Sequence, residues 1–137
     1  MRAAALALLI STVALADEPK VTVQTEVVQA SEKQGTIDPG LKEMQAALAQ
    51  GKKYGTLKRI STQKLTLETR PSMVPLPSGK SVELSVVTLV EGVATIRVKI
   101  PVPPSETTLK LGKVGSLYQY AARLPDADVW VVLSQPK

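Results

Sequence analysis

The sequence predicts a mainly β (α+β) fold, an antiparallel β-sandwich or open barrel of about eight short strands with one amphipathic helix near residues 39–50. Three observations predict it. Val, Leu and Ile carry the apolar content, Phe is absent, and the aromatic set is only Tyr54, Tyr118, Tyr120 and Trp130; β-branched residues favour pleated, half-buried surface. Apolar and polar residues alternate with period two in several short runs. Turn residues recur between those runs, with no internal repeat and no low-complexity linker.

The first residues stand apart from this pattern. Arg2 is followed by an apolar stretch from Ala3 to Val13, then Ala14, Leu15 and Ala16, before the acidic start Asp17, Glu18, Pro19. This reads as a signal peptide over residues 1–16, cleaved after Ala16, where small side chains suit a signal peptidase. Spanning hydrocarbon takes about 20 apolar residues, and this run is little more than half that, so the expectation is export to the periplasm or beyond without a transmembrane anchor. No cysteine is present to carry an acyl chain or form a disulfide, so burial alone must hold the fold together. Residues 17–137 are enough for a single β-rich domain, and 44% hydrophobic with 21% charged residues is a globular composition.

The strands and the helix then follow in order. Val21, Val23, Thr25 and Val27 fall on one face of a strand over Lys20 to Gln29, with Thr22, Gln24 and Glu26 on the other. Asp38 is placed as N-cap and Pro39 at the first turn of a helix reaching Gln50, with Leu41, Met44 and Leu48 on its apolar face and Gly51 as its stop. Leu57 and Ile60 do not share parity with Leu65 and Leu67, so Thr56 to Glu68 is two strands or one with a bulge. Pro71, Pro75 and Pro77 confine Ser72 to Leu76 to an edge. Val82, Leu84 and Val86, then Ala94, Ile96, Val98 and Ile100, flank Glu91-Gly92 as the clearest hairpin. Thr107 to Leu111, Ser116 to Ala121 and Asp128 to Ser134 complete the set.

The absence of both His and Cys removes Ser-His-Asp, Cys-His and zinc chemistry together. Ser61 and Lys64 have S-x-x-K spacing, but on a strand they point to opposite faces, and the companion S-D-N and K-T-G motifs are missing. Gly79-Lys80-Ser81 mimics the end of a P-loop, yet Val74 stands where that loop needs Gly, and Pro75 and Pro77 would withhold donors from a phosphate. Asp126 and Asp128 are too few ligands for a hard cation. The chain is therefore expected to be non-catalytic, with no cofactor and no metal.

Charge is the remaining positive signal. Lys52, Lys53, Lys58, Arg59, Lys64 and Arg70 against Glu68 alone give residues 52–70 a net +5, whereas the rest of residues 17–137 sums to −1. With Arg97 and Lys99 these residues form a candidate basic face for an anionic polymer or an acidic partner; the bland alternative is a solvated surface that keeps edges from aggregating. A nucleic-acid ligand is not expected, since stacking positions are lacking. Tyr118, Tyr120 and Trp130 are the aromatic candidates for a binding face, against the commoner role of core packing with polar tips at the rim.

The stretch from Leu57 to Pro101 carries L-K-R-I-S-T-Q-K-L-T-L-E, then V-P-L-P-S-G-K-S-V-E-L-S-V, then E-G-V-A-T-I-R-V-K-I-P. It resembles a group of small exported bacterial envelope proteins of unassigned function, in which a helix precedes a strand, an L-P-x-G-[KR] turn and a hairpin. The resemblance implies export and fold and brings no catalytic residues. The expectation is an exported interaction or accessory module that docks on a partner protein of the envelope. The alternative is a binding or inhibitory protein using the basic face. Ligand, oligomeric state and strand order stay open.

Overall fold

A computed structural model describes residues 18–48 and 53–136. The expected leader, Gln50, Gly51 and Lys52 lie outside them. The described residues form β1 (Val21–Ser31), α1 (Lys42–Leu48), β2 (Thr56–Leu67), β3 (Ser72–Pro75), β4 (Ser81–Val90), β5 (Val93–Ile100), β6 (Ser105–Leu111), β7 (Ser116–Leu124) and β8 (Ala127–Ser134). Two four-stranded antiparallel sheets result: sheet A in the order β2-β1-β8-β7 and sheet B in the order β3-β4-β5-β6. The mainly β class and the count of eight strands are as the sequence predicts.

The alternation decides which faces meet. Val21, Val23 and Val27 of β1, Leu67 of β2, and Val129, Val131 and Leu133 of β8 turn inward from sheet A. They pack against Val82, Leu84 and Val86 of β4 and Ala94, Ile96 and Val98 of β5. Each Val, Leu and Ile among them contributes about 1.5–3 kcal/mol by leaving water, which is how the core dispenses with both disulfides and Phe. Thr25 belongs to the same inward row, is buried, and its Oγ1 has no hydrogen-bond partner among the described residues.

The parity break in residues 56–68 is a bulge in one strand. Val27 pairs with Ser61 and Val28 with Arg59, so Ile60 is the extra residue and the two halves of β2 keep their apolar side chains on useful faces. Ser61 opposes inward-facing Val27 while Lys64 opposes Gln24 on the outer face, as a strand requires of an i, i+3 pair.

Helix α1 packs on the outer face of sheet A. Leu41 and Met44 are buried there with Val28, Ala30, Leu57, Tyr54 and Val132, and Leu48, Tyr118 and Trp130 close over them. Sheet A is thus covered on both faces. The start of the helix differs from expectation: it begins at Lys42, and Asp38 is not its N-cap. Asp38 Oδ2 instead accepts from the Arg59 backbone N-H at 2.7 Å, while Pro39 and Gly40 form a turn in which Leu41 N-H donates to Asp38 O at 3.1 Å. Gly40 has φ +85°, which breaks helical geometry two residues before α1 and frees the carboxylate to serve β2.

Candidate functional site

The predicted cations do not gather on one surface. Lys53 precedes β2, Lys58 and Lys64 are exposed and point to opposite faces of β2, and Arg70 lies in the connection to β3. Arg97 and Lys99 share an exposed face, but it is the outer face of sheet B, and the Arg97 guanidinium pairs with Glu106 at 3.0 Å. Arg59 holds the structure together locally. Its Nε bonds Glu26 at 2.9 Å and one terminal nitrogen bonds Pro39 O at 2.9 Å, tying the turn before α1 to sheet A. Lys52 lies outside the described residues.

The aromatic candidates do come together. Tyr118, Tyr120 and Trp130 lie on the outer face of sheet A, where Tyr118 pairs with Val132 and Tyr120 with Trp130 across β7 and β8. The Tyr120 and Trp130 rings meet edge to face at 5.5 Å. The polar tips of Tyr120 and of Tyr54 converge on Asp128, which the sequence marks only as the start of the last strand and as one of too few cation ligands. The Tyr54 hydroxyl donates to Asp128 Oδ2 at 2.7 Å, the Tyr120 hydroxyl to Oδ1 at 3.3 Å, and Trp130 Nε1-H to the Tyr54 hydroxyl at 3.2 Å. Asp128 is only 5% exposed, a depth at which a carboxylate needs such donors. Burial, and then the bond to Asp128, push the Tyr54 pKa from 10.0 up to about 12, so this phenol remains a donor at neutral pH. Burial also raises that of Tyr118, with Glu43 and Glu26 adding to it. Beside the cluster lies a cleft of about 250 Å³ bordered by Glu32, Lys33, Tyr54, Arg123, Asp126 and Asp128. Both signs of charge line it.

The other end of the sandwich has a different chemistry. Strand β3 covers only Ser81–Leu84 of β4, and past Leu84 the one backbone bond on that side among the described residues is Val86 N-H to Glu68 O at 2.8 Å. Residues Val87–Val90 therefore form an edge. A bulge between Val86 and Thr88 opens it, and Glu91 and Gly92, with φ of 51° and 81°, turn the chain into β5. Positive φ at both central residues is the geometry a two-residue hairpin needs. Val87, Leu89, Val90 and Val93 are all exposed on this hairpin, Val90 at 62%. Val114, on the β6–β7 connection, is exposed next to Lys113, whose side chain would obstruct a Cβ at Gly92.

Three of the remaining edges, β2, β3 and β6, carry protection. Thr36–Asp38 pair with the start of β2 at Leu57, and Lys64 follows on that strand. Pro71 and Pro75 flank or end β3 and Glu106 and Lys110 lie on β6, whereas β7 has Arg123 only near its end and is uncharged and free of proline over Ser116–Ala122. Charge and proline are the usual means of refusing a further strand. Residues 85–90, Ser-Val-Val-Thr-Leu-Val, have neither. The adjacent Val86-Val87 and Leu89-Val90 pairs, which break the alternation that precedes them, are the sequence signal for this edge.

No protein-family model matches the chain, and no curated protein or solved structure is similar to it.

Proposed function

We propose that the protein is a non-catalytic interaction module of the bacterial envelope, exported behind residues 1–16, that docks on a partner protein by accepting an extended segment at the Val87–Val90 edge of β4. The observation that carries this reading is the cluster of exposed aliphatic side chains, Val87, Leu89, Val90 and Val93, on an edge without charge or proline; the uncharged stretch Ser116–Ala122 of β7 has no such cluster. Strand addition draws affinity from backbone hydrogen bonds and specificity from alternate side chains, and this edge offers both. Among the described residues no helix is long and apolar enough to cross a membrane. The anionic-polymer alternative has less support, because its cations are divided between two sheets and two of them are held in ion pairs.

The test is recovery of partners from envelope extracts at low and at high ionic strength. Pairing through backbone and aliphatic groups persists in salt, whereas attraction to an anionic polymer is screened. Leu89→Lys and Val90→Lys should each abolish recovery of the salt-resistant partner. If both variants retain it, the edge is not the docking site.

A further inference from the structure

We infer that the cleft beside Tyr54 and Asp128 binds a small zwitterion of dipeptide size, carrying one ammonium and one carboxylate group. The site lies at the opposite end of the sandwich from the docking edge and is independent of it.

Its two walls come from distant parts of the chain and carry the same pair of charges. One wall is the connection after β1, with Glu32 and Lys33; the other is the end of β7 and its turn into β8, with Arg123 and Asp126. Elsewhere on the molecule opposite charges pair, Arg59 with Glu26, Arg97 with Glu106 and Lys20 with Glu68. None of the four side chains around the cleft is in an ion pair among the described residues. The Asp128 carboxylate at the floor is engaged by the Tyr54 and Tyr120 hydroxyls, so the rim charges decide what enters. A ligand of one sign would be repelled by half of that rim. A ligand with both signs satisfies each wall.

Backbone contacts hold the walls in place. Lys33 O accepts from Thr56 Oγ1 at 2.8 Å and Ser31 O from the Gly55 N-H at 2.9 Å, and a Cβ at Gly55 would lie 2.6 Å from Lys33 O. On the other wall Arg123 is in register with Asp128 and Leu124 with Ala127, and Pro125 restricts the turn between them. The site is therefore formed before a ligand arrives.

Size narrows the class. A volume of about 250 Å³ falls below the roughly 300–1,000 Å³ of pockets that enclose drug-sized ligands. The cube root of that volume, about 6 Å, is close to the roughly 7 Å that two extended residues span. All four rim side chains are exposed, so each contact is modest and the dissociation constant should be about 1 mM.

L-Alanyl-L-alanine is the probe, titrated into the protein and followed by amide NMR signals. The expected shifts are confined to residues 31–33 and 123–128, with a change in Trp130 emission because its indole donates to the Tyr54 hydroxyl on the floor. N-acetyl-L-alanyl-L-alanine, which lacks the ammonium, and L-alanyl-L-alanine amide, which lacks the carboxylate, should each bind about tenfold more weakly or not at all. The double variant Lys33→Gln with Arg123→Gln, and the double variant Glu32→Gln with Asp126→Asn, should each weaken the dipeptide by about tenfold while leaving the melting temperature unchanged, since the side chains removed are exposed. Absence of any shift up to about 20 mM dipeptide overturns the inference. So do equal shifts from either blocked analogue, or binding that either double variant leaves intact.

Discussion

The two ends of the sandwich answer the same problem, what to do with polar and apolar groups where the strands run out, in opposite ways. At the end where β7 turns into β8, a buried carboxylate is surrounded by phenols and an indole, and the neighbouring faces are closed by α1. At the other, where β4 turns into β5, aliphatic side chains are left in solvent beside an edge that no described strand covers. The first end makes polar groups safe by pairing them internally. The second leaves its pairing capacity unused among the described residues, which is the ground for proposing it as a docking edge.

Substitutions can break the contrast. Asp128→Ala should have the largest effect, a loss of about 2 kcal/mol, because it removes the acceptor of the buried Tyr54 hydroxyl. Urea unfolding followed through the chain's one tryptophan, Trp130, reads it directly. Alkali should act on the same end next. The raised Tyr54 pKa means that its contribution is complete below pH 10, begins to fall above it, and is gone as pH passes about 12. Tyrosinate absorbance should show a phenol ionising late, together with loss of near-ultraviolet dichroism; a titration in which all three tyrosines ionise near 10 would break the assignment. Between the ends, Thr25→Val should stabilise by about 1 kcal/mol by removing a buried hydroxyl without a partner, seen as a higher melting temperature. Smallest of all, Leu89→Lys should change monomer stability by no more than about 0.5 kcal/mol while its effect on docking is complete. A large loss of stability there would mean that the hairpin belongs to the core.

Much of the fold was legible because period-two patterning is local. Val21 to Val27, Val82 to Val86 and Ala94 to Ile100 each declare a buried face within a few residues, and Glu91-Gly92 declares its turn. The bulge in β2 was visible as a change of parity. The helix was legible, but its start was not, because Asp38 had a competing use on β2 that is 21 residues away in sequence. The site was harder for the same reason. Tyr54 and Asp128 are separated by 74 residues, and nothing in either segment announces the other. The run of cations from Lys53 to Arg70 looks continuous in sequence, but strand alternation and a crossing between sheets disperse it. Tyr118, Tyr120 and Trp130 share a face because their strands pair, so parity could group the tyrosines but only the β7–β8 register could bring in Trp130.

The place of β8 has a consequence for the order in which the molecule can be made. Among the described strands it comes last in chain order, yet it lies between β1 and β7. Just past it, the Gln135 side-chain amide lies 2.7 Å from Gly92 O, 3.1 Å from Gly112 O and 3.2 Å from Leu111 O, buckling the β4–β5 hairpin to the β6–β7 connection. A nascent chain that has not yet reached residue 127 can form the β1–β2 pair and sheet B, but it lacks the strand that joins β7 to them. Sheet A therefore closes only once residues 127–134 are available to pair. Removing residues 127–137 would not trim the protein but return it to that unfinished state.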